Sequence, residues 1–188
     1  MSMGESLLFH VCCAPCATVG VPSLIDEGFS LTLYFYGGNI HPEVEWHRRL
    51  AALQTLSQNY GQALSVRPYD TSEWRSAVHG LEGEPEGGKR CEACMRLQLE
   101  KAAAYAQSLH ITNLCTSLTL SPQKAPELIN QWGSAAAAHH GLNWLSRVWR
   151  KKGGFQFSVQ ESRRLSLYRQ NYCGCCYSMK RSQIYGGE

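Results

Sequence analysis

The chain has 188 residues, 44% hydrophobic and 18% charged, a balance that fits one folded domain spanning 1–188 and excludes a disordered tail. No apolar run reaches the ~18 residues needed to cross a bilayer, and Met1-Ser2-Met3-Gly4-Glu5-Ser6 lacks the basic start of a signal peptide, so a cytoplasmic protein without a membrane partner is expected. The net charge of +3 is unevenly spread: residues 1–146 hold 9 Lys+Arg against 13 Asp+Glu, whereas the segment 147–188 holds 9 against 2, a basic footprint suited to a polyanion.

In chain order, Leu7–Val11 reads as a short buried strand and residues 14–27 as a helix closed by Gly28. Leu31–Tyr36 is a second strand, broken by Gly37-Gly38-Asn39. Pro42–Tyr60 reads as an amphipathic helix with Val44, Leu50, Leu53 and Leu56 on its apolar face. Ala63–Arg67 is a third strand, Glu73–Val78 a short helix and Gly80–Lys89 a loop. A long helix over Cys91–Ser108, a fourth strand over Ile111–Leu118, a helix over Pro122–His139, a fifth strand over Asn143–Val148 and a helix over Phe155–Leu167 follow. Strands alternating with helices predict a mostly parallel α/β sheet covered on both faces. Ligands of such sheets sit beyond the carboxyl ends of the strands. Cys12 and Cys13, Asn39, Tyr69 and Asp70, Thr119 and Ser121, and Trp149 and Arg150 all fall there.

Nine cysteines are the strongest signal. A reducing compartment does not sustain a disulfide framework, so clustered thiols point to metal or redox chemistry. Cys12-Cys13-Ala14-Pro15-Cys16 sits at a strand-to-helix turn, where thiolates are favoured. Cys91 and Cys94 lie at i and i+3 of a helix and share one face. Two pairs give four thiolates, enough for zinc or an iron–sulfur cluster. Cys13 and Cys91 stand 78 positions apart, which disfavours a zinc ribbon. Cys173-Gly174-Cys175-Cys176 has a spacing that closes a readily reduced disulfide, or holds another metal. Cys115, inside a strand, reads as core packing. The roles of Cys16 and Cys176 stay open. Of the histidines only His41, after the glycine loop, stands near the predicted ligand edge.

Phe9-His10-Val11-Cys12-Cys13-Ala14-Pro15-Cys16 resembles the N-terminus of the QueH family of epoxyqueuosine reductases. So do Asn39-Ile40-His41-Pro42, Arg90-Cys91-Glu92-Ala93-Cys94, Thr119-Leu120-Ser121-Pro122 and Tyr168-Arg169-Gln170-Asn171-Tyr172-Cys173-Gly174-Cys175. The resemblance implies a Rossmann-like, HUP-type α/β fold. It implies reduction of epoxyqueuosine to queuosine at the wobble position of tRNA, the last step of queuosine synthesis, without cobalamin. It further implies a [4Fe–4S] cluster on Cys12, Cys13, Cys91 and Cys94, a redox-active disulfide between Cys173 and Cys175, and an additional iron beside the cluster. The partners are then a tRNA carrying epoxyqueuosine in its anticodon loop and an electron donor that the sequence does not identify. Arg147, Arg150, Lys151 and Lys152 are expected along the tRNA backbone, with Trp149 and Tyr172 as stacking or core residues. This chain departs from the family at Val148, which stands at a usual acid; Asp70 is the other carboxylate near that edge. Gly37-Gly38 before Asn39 is a milder departure. Two competing readings are a thiol–disulfide oxidoreductase, from Cys13-Ala14-Pro15-Cys16, and a zinc-stabilised RNA-binding module. Metal content separates the three.

Overall fold

The structure, a computed structural model, describes residues 4–179. Five strands, β1 (Glu5–His10), β2 (Phe29–Phe35), β3 (Ala63–Val66), β4 (Asn113–Thr116) and β5 (Asn143–Trp144), form one sheet in the order β3-β2-β1-β4-β5, and every neighbouring pair is parallel. The helices are α1 (Ala14–Ala17), α2 (Gly20–Asp26), α3 (Glu43–Tyr60), α4 (Ser72–Ala77), α5 (Lys89–Ser108), α6 (Pro126–His139) and α7 (Gly154–Arg164). No helix among the described residues is long and apolar enough to cross a membrane.

β1 is the central strand and is apolar on both faces. Leu7 and Phe9 join Leu31, Leu33 and Phe35 of β2 and residues of α1 to α3 in one core. Leu8 joins Tyr34, Tyr36 and the buried faces of α5 and α6 in the other. Each fully buried side chain of this kind contributes about 1.5–3 kcal/mol. The chain turns from β1 leftward to β2 and later rightward to β4, so a crevice opens at the carboxyl ends of β1 and β4.

Four details differ from the sequence reading. The first helix is split at Thr18–Val19, because Pro22 lacks an amide hydrogen and its ring excludes the carbonyl four residues earlier. The sixth helix starts at Pro126 rather than Pro122: a residue before proline avoids the helical region, and Ala125 is extended at φ −81° and ψ 105°. Only Asn143 and Trp144 pair as β5. Beyond them the chain leaves the edge, and the indole of Trp149 donates to the Thr116 carbonyl at 2.7 Å. On α3 the buried face is Glu45, Trp46, Arg49, Ala52, Leu53 and Leu56, while Val44 is 54% exposed. An ion pair inside the molecule sets that phase, and hydropathy alone does not reveal it.

Candidate active site

The site grows from the end of β1. Cys12 follows the strand, Cys13 is the N-cap of α1 and Cys16 lies within that helix. The three Sγ atoms lie within 4.8 Å of one another, and Cys12 and Cys13 are 3.9 Å apart. β4 closes the other side of this turn. The Cys12 amide donates to Ser117 Oγ at 3.2 Å, and the Ser117 hydroxyl lies 3.6 Å from Cys12 Sγ. The thiols of Cys12 and Cys16, with the Arg49 charge, hold Cys13 well below the usual thiol range. The thiols of Cys12 and Cys13, together with burial, push Cys16 well above it.

These residues border a cavity of about 350 Å³ at the carboxyl edge of the sheet. Cys12 and Cys16 line it, and Cys13, 1% exposed, lies behind them. Cys91 and Cys94, from the first two turns of α5, line a second wall, and Cys173 and Cys175 a third. The Gly87 amide donates to Cys91 Sγ and the Gln98 carboxamide to Cys94 Sγ, each at 3.2 Å. Burial pushes Cys94 up to about 12 and Cys91 in the same direction. Thiols desolvated in this way ionise opposite a cation, and donors aimed at their sulfurs then stabilise the thiolates. The donor set therefore fits a thiolate-bound metal or an iron–sulfur cluster.

Arg49 fixes the third wall. Its side chain is 2% exposed and pairs with Glu45 at 2.7 Å. Its remaining guanidinium nitrogens donate to the carbonyls of Cys173 at 2.9 Å and Tyr172 at 3.1 Å. The Tyr168 hydroxyl donates to the second Glu45 oxygen at 2.7 Å. Between the two cysteines, Gly174 has φ 132°, and a Cβ there would meet Arg49 Nη1 at 2.9 Å. Only glycine suits both constraints. Among the described residues no disulfide joins any cysteines; Cys175 packs with Trp74 and Val78 in a small apolar cluster that Cys94 also touches.

The six cysteines of the expected sites thus surround one cavity, five on its wall and Cys13 immediately behind. Cys16 adds a sixth thiol to that wall. Asn39, Ser121 and Tyr172 also line it. Cys115 is a core residue, as expected. Asp70 is exposed, accepts the Ser72 amide at 2.9 Å and is not on the wall; nor is Val148. His41 lies under the cysteine loop, where its amide donates to the Gly174 carbonyl at 2.8 Å. Trp149 is core, edge-on to Phe9. Arg147 pairs with Glu27 at 2.7 Å, and Arg150 donates to the carbonyls of Ser121 and Lys124. Lys151 and Lys152 are exposed. Sequence reasoning missed Arg49, Lys124, Gln170 and Phe155. Lys124 and Gln170 adjoin or fall within the recognised motifs; nothing in the sequence distinguishes Arg49 from a solvated helix residue.

The family model described as epoxyqueuosine reductase QueH matches residues 7–181. A protein of that name from Acinetobacter baylyi is 35% identical over 177 residues, covering 94% of this chain and 81% of the relative. Another from Thermotoga maritima is 33% identical over 177 residues, covering 93% and 90%. Among solved structures, the U34-tRNA thiolase NcsA from Methanococcus maripaludis, with its [4Fe–4S] cluster, superposes with a TM-score of 0.59 at 10% identity, covering 97% of this chain and 65% of that one. That likeness shows a shared fold. With 35% identity to a relative over nearly its whole length, and a family match that spans every cysteine around the cavity, the chain belongs to the epoxyqueuosine reductase QueH family.

Proposed function

We propose that this protein reduces epoxyqueuosine to queuosine in the anticodon loop of tRNA, in the cytoplasm where that tRNA resides. The observation that carries the reading is the convergence of Cys12, Cys16, Cys91, Cys94, Cys173 and Cys175 on one cavity in a chain of this family. In this reading Cys12, Cys13, Cys91 and Cys94 hold a [4Fe–4S] cluster. The amide and carboxamide donors on Cys91 and Cys94 support thiolates there. For an additional iron the wall offers ligand types in Cys16 and Glu86. When bound, the cluster supplies single electrons and an iron supplies a Lewis acid for oxygen.

Cys173 and Cys175 are the redox pair. Removing the epoxide oxygen as water takes two electrons and two protons. Two thiols provide both: epoxide plus dithiol gives alkene, water and disulfide. An external electron donor then reduces the disulfide. Arg49 holds the Cys173 carbonyl, so the pair stays against the cavity through the cycle.

The cavity mouth suits an unstacked base. Phe155 and Leu128 line it and are 39% and 45% exposed. Exposed aromatic rings stack on single-stranded bases, and the neighbouring Lys151 and Lys152 suit the phosphate backbone. An anticodon-loop base is already single-stranded, so reaching it costs less than flipping from a duplex.

The test is direct. Protein purified without oxygen is incubated with dithionite and tRNA from cells that accumulate epoxyqueuosine, and the digested nucleosides are analysed by mass spectrometry. Conversion to queuosine, lost in Cys173→Ser under turnover conditions, is expected. Intact epoxyqueuosine after incubation with iron-loaded protein would contradict the reading.

A further inference from the structure

Away from the cavity, two histidines and a carboxylate converge where α6 ends against α5. His139 is the last residue of α6 and His140 its C-cap. Because α6 leads into β5, a parallel strand, its end lies at the amino edge of the sheet, opposite the cysteines. Glu100 lies within α5, six positions beyond Cys94 and roughly 9 Å further along the helix axis. None of the three lines the cavity. One carboxylate oxygen, Glu100 Oε1, stands 2.7 Å from His140 Nε2 and 3.2 Å from His139 Nδ1. The three ligand atoms all lie within 4.8 Å of one another.

Gln107, two turns further along α5, decides which nitrogen of His140 carries a proton. The Gln107 carboxamide nitrogen donates to the His140 carbonyl at 3.1 Å, an oxygen that can only accept, and this orients the amide. The carboxamide oxygen therefore faces His140 Nδ1, at 3.0 Å, and that nitrogen is the N–H donor. A neutral imidazole protonated at Nδ1 turns a bare lone pair at Nε2 toward Glu100, itself an acceptor. Two acceptors in contact require a positive charge between them, a proton or a metal ion. A histidine whose far nitrogen is held by a hydrogen bond, with a second imidazole nitrogen on the same carboxylate, is the arrangement of a metal site. The His140 side chain is 14% exposed and held in place, whereas His139, at 74%, leaves one side open to water.

We propose that Glu100, His139 and His140 bind a divalent zinc-class cation through a Glu100 oxygen, His139 Nδ1 and His140 Nε2, with water in the fourth position. Two imidazoles and a carboxylate suit Zn2+, which takes nitrogen and oxygen ligands in a tetrahedron. Ligands of one tetrahedral zinc stand about 3.3 Å apart, so contacts of 2.7 and 3.2 Å need only small side-chain adjustments to admit the ion. The ion clasps the end of α6 to α5, the helix that carries Cys91 and Cys94 at its start. The site is independent of the epoxide chemistry.

Protein purified without oxygen, with its own iron, is dialysed against Zn2+; zinc and iron per chain are then measured and the protein is melted. Wild type is compared with His139→Gln/His140→Gln, Glu100→Gln and Gln107→Leu. Zinc held by cysteines is common to all four, so the difference reports this site. Wild type is expected to hold about one zinc per chain more than the histidine variant. Zinc at about 100 times its Kd is expected to raise the wild-type Tm by about 5–11 °C and to leave that variant unmoved. Gln107→Leu keeps the ligands and is expected to bind zinc about 10–100-fold more weakly. Equal zinc and equal melting responses in wild type and the histidine variant would overturn the site. So would a zinc-induced rise in Tm that persists unchanged in Glu100→Gln, the substitution that decides the matter if the histidine variant does not fold.

Discussion

Replacing Arg49 with Met removes one partner of a buried pair and releases the cysteine loop. The Arg49 and Glu45 side chains are 2% and 4% exposed. Breaking such a pair leaves an uncompensated carboxylate and costs about 3–5 kcal/mol. The Tyr168 hydroxyl still donates to Glu45, so the carboxylate is not wholly orphaned and the lower end applies. In a chain of this length each kcal/mol lowers Tm by about 2–4 °C, so Arg49→Met is expected to melt about 6–12 °C lower. The double variant Glu45→Leu/Arg49→Met removes both charges and is expected to recover most of that loss. Thermal melts followed by circular dichroism give the double-mutant cycle. The Cys173 and Tyr172 carbonyls lose their donors in both variants, so alkylation of Cys173 should be faster in both than in wild type. An Arg49→Met protein melting within 2 °C of wild type, or two single losses that simply add in the double variant, would show that the two side chains are not a coupled buried pair.

At the cavity mouth, Phe155→Ala is expected to weaken binding of an anticodon stem-loop by about 1–3 kcal/mol, measured by fluorescence anisotropy, with the fold unchanged. Lys151→Ala/Lys152→Ala is expected to flatten the salt dependence of that binding by roughly 0.7–0.9 per lysine in the log–log slope; an unchanged slope would remove both lysines from the interface. Glu161, buried beside Arg164 and the Tyr60 hydroxyl, is held below the usual carboxylate range, chiefly by the Arg164 hydrogen bonds. A depressed folded pKa adds stability above the unfolded value and loses it as pH falls through the folded one. Urea titrations from neutral pH down through the carboxylate range should therefore show a shallower acid loss in Glu161→Gln than in wild type.

The parallel order of elements and the edge on which the cysteines converge were legible because both follow from local pattern. Each cysteine group adjoins a strand end or a helix start, and the topology brings those ends together. What local pattern omits is phase and commitment. Arg49 reads as a surface residue of an amphipathic helix, yet it is buried because Glu45 lies one turn before it and two carbonyls of a segment 123 and 124 residues away face it. Trp149 suited base stacking as well as packing until the Thr116 carbonyl was found beneath its indole. Arg147 and Arg150 carry the charge expected of phosphate contacts, but one pairs with Glu27 and the other clamps a loop. Proline placed the helix breaks at Thr18 and Ala125, a signal present in the sequence and outweighed there by hydropathy. Cys16 stood too close to Cys13 to be assigned; the short α1 turn sets it on the cavity wall while Cys13 turns behind.

In the proposed function Cys12, Cys13, Cys91 and Cys94 together hold an iron–sulfur cluster. Iron and acid-labile sulfide, with a visible spectrum, are measured on protein purified without oxygen and on Cys91→Ala/Cys94→Ala. About four of each per chain in the first and none in the second is the predicted result. Zinc alone, or equal iron in both proteins, would contradict it.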